Sequence, residues 1–339
     1  MAFQIGYQLS CEEHRPNDLV RNAQKAEEHG FAFATISDHF HPWIDAQGQS
    51  PFVWSVIGGI ARATERLGLG TWVTCPTTRL HPAVVAQAAA TSAAMMPGRF
   101  FLGVGTGENL NEHIVGQGWP ETEVRQARLE EAIAVIRLLW QGGNQSHHGR
   151  FFTVENARLY TLPEQAPPLL VAMGGPKSAE MAGRLGDGLI ATDPEAELVR
   201  VFAAAGGRGK PRYGSVTVCW ARDEKAARKT AHRIWPTAAM ESSLSWELPL
   251  PQHFADAAKL VTEDAVAEAI VCGPDPEKYV TAIKKYVEAG FDHVAIHQVG
   301  PDQAGFFAFY AKELAPALMS LKPTPAAKAS PRPQRHRAA

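Results

Sequence analysis

Cysteine is scarce in this chain of 339 residues: four in all, Cys11, Cys75, Cys219 and Cys272, each isolated and none in a C-x-x-C pair. That scatter excludes a disulfide framework and a thiolate zinc site, and it leaves four reduced, half-buried small hydrophobes. Long apolar runs are missing as well. The longest mostly apolar stretch, residues 83–90, is interrupted by Gln87, far short of the roughly 20 residues a membrane span needs. The opening Met1-Ala2-Phe3-Gln4-Ile5-Gly6-Tyr7 has no basic segment leading into an apolar one, so the expected address is the cytoplasm. Nor is there an excess of positive charge where a fold could use it. The net charge is −2, and residues 322–339 carry Lys322, Lys328, Arg332, Arg335 and Arg337 with no acid, which leaves −7 on residues 1–321. An acidic body offers no basic face to nucleic acid, and the Pro/Ala-rich end reads as a disordered basic tail.

What is present is a hydrophobic content of 45%, enough for a large α/β core. Short β-rich runs at residues 4–9, 32–37, 67–74, 100–103, 169–172, 188–191, 215–221 and 293–298 alternate with helical stretches at 16–29, 53–65, 82–95, 122–140, 177–185, 195–205, 224–235 and 276–289. Eight strand–helix units predict a parallel sheet closed into a TIM (β/α)8 barrel, an α/β fold. An internal echo supports one barrel over two lobes. Glu28-His29-Gly30-Phe31 and Glu288-Ala289-Gly290-Phe291 both end a helix on a glycine suited to a left-handed cap, and Leu185-Gly186-Asp187-Gly188 repeats the pattern in mid-chain. The expected domain is residues 1–321, with insertions at about 143–168 and 236–266, the second carrying a helix around residues 254–261.

In such a barrel, reacting groups sit where strands end. The second strand ends in Ser37-Asp38-His39-Phe40-His41-Pro42-Trp43. His39 is the strongest candidate for proton transfer because imidazole titrates near working pH, with Asp38 beside it to orient it; the alternative is a plain loop histidine. The fourth strand ends in Gly103-Val104-Gly105-Thr106-Gly107-Glu108-Asn109-Leu110-Asn111, which fails as a dinucleotide fingerprint because Glu108 stands where the third glycine belongs. Glycines there let the backbone approach a flat cofactor while Glu108 serves as acid or base, unless the segment is only a tight turn. After the fifth strand, Met173-Gly174-Gly175-Pro176 opens a helix whose free N–H groups suit a phosphate, or else merely turns the chain. Trp72-Val73-Thr74-Cys75-Pro76-Thr77-Thr78-Arg79 ends the third strand with polar side chains to spare. His147-His148 lacks ligand spacing and a nearby carboxylate in sequence, so no metal is expected there.

These segments together, in this order and across nearly residues 4–320, resemble the F420-dependent oxidoreductases of the bacterial luciferase-like superfamily, and within it the branch around F420-dependent glucose-6-phosphate dehydrogenase. The most specific parts are Ser37-Asp38-His39-Phe40 with Trp43, Gly103 to Glu108 with Leu110-Asn111-Glu112, and Gly174-Gly175-Pro176 followed by Ala182-Gly183-Arg184. The resemblance implies a deazaflavin in the barrel mouth, lined by Asp38, Val73, Thr74, Thr106, Gly107 and Asn111, with its phosphate near Met173, Gly174, Gly175 and Pro176. It implies His39 as the base that takes a hydroxyl proton while hydride passes to the cofactor, Glu108 as the group that protonates or balances the reduced ring, and Trp43 as a wall of the site.

The sequence departs from that branch at its phosphate-binding cations. Where sugar-phosphate users carry a lysine after the sixth strand, this chain reads Thr192-Asp193-Pro194-Glu195-Ala196-Glu197, and the two other cationic positions fall near Ala255 and Glu268, with Lys259 one helical turn beyond Ala255. The expected substrate is therefore a small alcohol or carbonyl compound, and glucose 6-phosphate is expected to be poor. The same site run backward would reduce a ketone or activated alkene with reduced F420. A monooxygenase using flavin mononucleotide (FMN) and a non-catalytic deazaflavin carrier are the other readings. A homodimer pairing through helices such as residues 82–95 is expected.

Overall fold

The computed structural model describes residues 3–318 and residue 321, and the expected basic tail lies outside them. Eight parallel strands, Gln4–Leu9, Phe33–Ile36, Gly68–Thr71, Phe100–Val104, Leu169–Ala172, Gly188–Ala191, Arg212–Cys219 and His293–Gln298, pair in chain order. The barrel closes because the eighth strand pairs with both neighbours, Gln4 against His293 on one side and Tyr213 against His293 on the other. A two-residue strand, Val271–Cys272, continues the seventh strand's ladder at Val218 and Cys219, beyond the point where the sixth has ended.

Two apolar layers follow from strand geometry. Inside the barrel, Phe33, Trp72, Phe101, Leu170, Ile190 and Ala295 fill the lumen, and Tyr213 stacks on His293 at 4.2 Å between ring centres. Outside it, alternate strand residues such as Leu9, Ile36, Leu69, Leu102 and Val171 meet the apolar faces of the helices. The helices Pro16–Glu28, Pro82–Met95, Pro176–Leu185 and Pro276–Ala289 each begin on proline, whose fixed φ and missing N–H suit that position. Gly30 (φ 83°) and Gly290 (φ 101°) take the left-handed conformation expected of them, whereas Gly186 has an ordinary φ of −79° and is glycine because a Cβ would lie 2.6 Å from the Gly188 carbonyl.

The boundaries differ where tertiary partners intervene. The third strand stops at Thr71; the Trp72–Val73 peptide is cis, and only Thr74 rejoins the sheet, at Val104. The seventh strand starts earlier than expected, at Arg212, whose N–H donates to Asp292 at 2.8 Å. Residues 143–168 hold an antiparallel hairpin, Gln145–His148 with Thr153–Ala157. Glu131, from the helix Thr122–Leu139, accepts the N–H groups of Phe151 and Phe152 (3.1 and 2.9 Å) and pairs with His147 at 3.1 Å. His147 thus has the carboxylate that the sequence lacks nearby, because the fold supplies it. The second insertion carries three helices, Ser242–Glu247, Pro251–Ala258 and Glu263–Ala269, and Pro251 starts the one expected further along. The four cysteines are free and fully buried, deeper than expected. No helix among the described residues is long and apolar enough to cross a membrane.

Candidate active site

His39 sits just past the second strand with only 9% of its side chain exposed, and the reason it stays there is a carboxylate. Its Nδ1 lies 3.4 Å from Oε1 of Glu12 and 3.3 Å from the His41 carbonyl. Both neighbours are acceptors, so Nδ1 carries the proton and Nε2 is left as the basic nitrogen. Glu12 follows the first strand, accepts the hydroxyls of Ser10 (2.9 Å) and Ser37 (2.7 Å), and is 3% exposed. Burial pushes its carboxyl up, but His39 and the two serines outweigh burial and hold it below the ordinary carboxylate range. The adjacent Glu13 has the opposite fate. Burial raises it to about 7, although it accepts the Gly300 N–H at 2.8 Å and the Trp235 indole N–H. His297, 4.0 Å from Glu13, is driven down to about 4 by burial.

Trp43 meets His39 edge-on at 5.0 Å and Phe254 of the second insertion at 5.3 Å. Around it, Ile44, Leu110 and Phe254 form a buried apolar cluster joined by Met240, Leu248 and Ala255. Of the positions where a sugar-phosphate cation would stand, Ala255 is part of this cluster and Glu268 is exposed, while Lys259 is 73% exposed and paired with Asp256 at 2.7 Å.

Glu108, half-buried, is linked to the His39 loop by Asn111. The Asn111 amide donates to Glu108 at 3.3 Å, and its carbonyl accepts the N–H groups of Phe40 (2.9 Å) and His41 (3.2 Å). Asp38 is tied off too, taking the Thr74 hydroxyl at 2.7 Å and the Arg79 guanidinium at 2.8 Å. Arg79 also faces Glu112, whose carboxyl burial lifts to about 7 despite that cation. Asp38, Thr74 and Asn111 thus form the frame of the mouth. Val73 packs directly on the buried Gly105: a Cβ there would lie 2.7 Å from the Val73 side chain, so only glycine fits beneath it. Thr106 and Gly107 (φ 75°) lead from Gly105 to Glu108, with Gly107 directly over Cys75.

Across the mouth, Met173 is buried while Gly174 and Pro176 are exposed. Here Ser178 accepts the N–H groups of both Gly174 (3.0 Å) and Gly175 (3.1 Å). The fold therefore unites His39, Trp43, Asp38, Thr74, Asn111 and Glu108 in one bonded network, and it leaves the Gly174–Pro176 turn apart from them. Glu12, Ser178 and Gln47 are the residues that sequence reasoning missed. For Glu12 the signal was available, since Ser10-Cys11-Glu12-Glu13 is itself a strand exit.

The family model described as luciferase-like monooxygenase matches residues 2–293. The chain belongs to that family. It is similar to the F420-dependent glucose-6-phosphate dehydrogenase of Mycobacterium avium (strain 104), 37% identical over 331 residues, covering 94% of this chain and 98% of the relative. The enzyme of the same description from Kribbella flavida is 39% identical over 341 residues, covering 95% and 100%. Among solved structures, an F420-dependent secondary alcohol dehydrogenase in complex with an F420-acetone adduct is 32% identical, covers 94% of this chain and 99% of that one, and superposes with a TM-score of 0.87.

Proposed function

We propose that this chain is an F420-dependent oxidoreductase that acts on the CH–OH group of an uncharged alcohol. The observation that carries the reading is His39, with Glu12 3.4 Å from its Nδ1, set beside an apolar wall of Trp43 and Phe254. The residues present fit the cofactor. The turn that opens the helix at Pro176 offers the Gly174 and Gly175 N–H groups, and a phosphate would take the place that Ser178 now fills on them. When bound, F420 accepts the hydride at C5 of the deazaflavin.

The protein's part is proton handling and positioning. His39 Nε2 accepts the alcohol proton, and the charge that appears on the ring is balanced by the ionised Glu12 behind it. Glu108 would supply a proton or balance charge on the cofactor side, with Asn111 keeping it in register with the His39 loop. Trp43 closes the substrate side. A phosphate dianion brought against the apolar Phe254 and Ala255 would be desolvated there, so glucose 6-phosphate is expected to be a poor substrate. A small secondary alcohol suits the wall, and the likeness to an F420-dependent secondary alcohol dehydrogenase at a TM-score of 0.87 supports that class.

We also infer a homodimer in the cytoplasm. The helix Pro82–Met95 exposes Val84 and Met95 along its outer face, which supports self-pairing, and four free buried thiols suit a reducing compartment. A light-scattering mass near twice 36.8 kDa is expected; the monomer mass would contradict the dimer. Fluorescence titration with F420 and with FMN tests the enzyme reading. Saturable F420 binding in preference to FMN is expected, and the reverse preference would move the protein to flavin chemistry.

A further inference from the structure

Gln47 is a buried polar side chain in a loop, and no part of the chemistry above uses it. Its carbonyl oxygen accepts the Trp43 N–H at 2.8 Å, and its amide donates to the Ile234 carbonyl at 3.1 Å. Ile234 is the last residue of the helix Glu224–Ile234, the point from which the chain enters the second insertion. One carboxamide therefore joins the active-site loop to the root of the segment that supplies Phe254, Met240 and Leu248.

The insertion is tied elsewhere by the Asn109 amide on the Glu247 carbonyl (2.9 Å) and by Arg125 on the Glu247 carboxylate (3.3 Å), while Gln47 bonds the Trp43 loop to its root. The loop closes on itself and on the first strand: the Gln47 N–H donates to Ile44 at 3.1 Å, the Gln49 N–H to the Glu12 carbonyl at 3.0 Å, and the Ser50 hydroxyl to the His39 carbonyl at 2.8 Å. Trp235, next after Ile234, donates its indole N–H to Glu13. Glu12 and Glu13 hold the two ends, and Gln47 spans the gap between them. The contact of Trp43 with Phe254, 5.3 Å between rings, is apolar and fixes no register by itself. A directional two-bond bridge does so, because both partners are backbone groups that cannot rotate away.

We propose that Gln47 is a positioning residue that locks the Trp43 loop and the second insertion into a single substrate wall. The proposal rests on the alcohol-oxidising reading for its kinetic consequence, and on geometry alone for its structural one. Loosening the bridge lets Trp43 and Phe254 move separately, so substrate is held less well, while the His39–Glu12 pair and the cofactor side stay as they are.

The test uses Gln47→Met, which keeps the volume and removes both bonds, and Gln47→Glu, which keeps the acceptor for Trp43 and loses the donor to Ile234. For oxidation of a neutral alcohol by F420, Gln47→Met is expected to raise KM about tenfold with kcat within about threefold and F420 affinity unchanged; Gln47→Glu is expected to give a rise of about threefold. Amide hydrogen exchange adds an arm that needs no turnover: residues 236–258 and the loop 38–47 are expected to exchange faster together in Gln47→Met. A wild-type KM in Gln47→Met would overturn the proposal. So would unchanged exchange in residues 236–258, or a fall in F420 affinity matching the fall in substrate use. If the wild-type chain fails to reduce F420 with every neutral alcohol supplied, the functional reading fails separately, and the exchange arm still decides on Gln47.

Discussion

The two sides of the barrel mouth are built differently. On the side of the first and second strands, Glu12, His39, Trp43 and Gln47 are each held by two or more named bonds or ring contacts and are largely buried. On the side of the fifth strand, the Gly174–Pro176 turn is open to solvent, and its N–H groups are satisfied by a single serine hydroxyl that a ligand can displace. The difference matches the two tasks proposed for these sides. A proton acceptor must be held at one distance and in one tautomer, so it is enclosed, whereas a tail anchor must exchange, so it is left accessible with a weak internal substitute.

That contrast can be broken from either side. Removing the base gives the largest expected effect: His39→Ala lowers the single-turnover rate of alcohol oxidation by roughly a hundredfold or more, with F420 affinity held within about threefold. A comparable loss of cofactor affinity in that variant would place His39 on the wrong side of the comparison. Next comes Glu13→Gln. A carboxyl lifted to about 7 in the folded state binds a proton that the unfolded chain releases near 4.5, so the wild type loses stability as pH rises between those values, and the amide does not. The variant is therefore expected to be more stable than wild type at pH 8 by on the order of 1–3 kcal/mol and nearly equal to it at pH 5, read by denaturant unfolding. His297, driven down to about 4, acts in the other direction between about 4 and 6.5 in both proteins and cancels in the difference.

Smaller effects sharpen the picture. Glu12→Gln removes the charge behind His39 but leaves an acceptor, so kcat is expected to fall about tenfold with no change in F420 binding; an unchanged kcat would detach Glu12 from the base. On the open side, Ser178→Ala frees the N–H groups of Gly174 and Gly175, and F420 affinity is expected to rise about twofold to fivefold in a fluorescence titration. A fall instead would mean that the hydroxyl itself holds the cofactor.

Most of the barrel was legible in the sequence because its strands are short, apolar and separated by helices with proline starts, all local signals. Where a boundary moved, a distant partner moved it: Arg212 is recruited into the seventh strand by Asp292, and the third strand ends at Thr71 as the chain turns into the mouth. The same division holds at the site. His39, Trp43 and Glu108 were singled out because each follows a strand, and Glu12 satisfies that rule too. Asn111 was expected against the cofactor, yet its carboxamide joins Glu108 to Phe40 and His41, a use that no spacing reveals. Gln47 meets Ile234, far along the chain, and His147 meets Glu131 on another element, and only the folded chain shows either.

The most direct test of the central claim is the reduction of F420 by the purified protein, followed by absorbance, with a neutral secondary alcohol and with glucose 6-phosphate in parallel. The account predicts reduction with the alcohol and little or none with the sugar phosphate, because the proposed substrate wall of Trp43, Phe254 and Ala255 is apolar. Robust reduction by glucose 6-phosphate would contradict it.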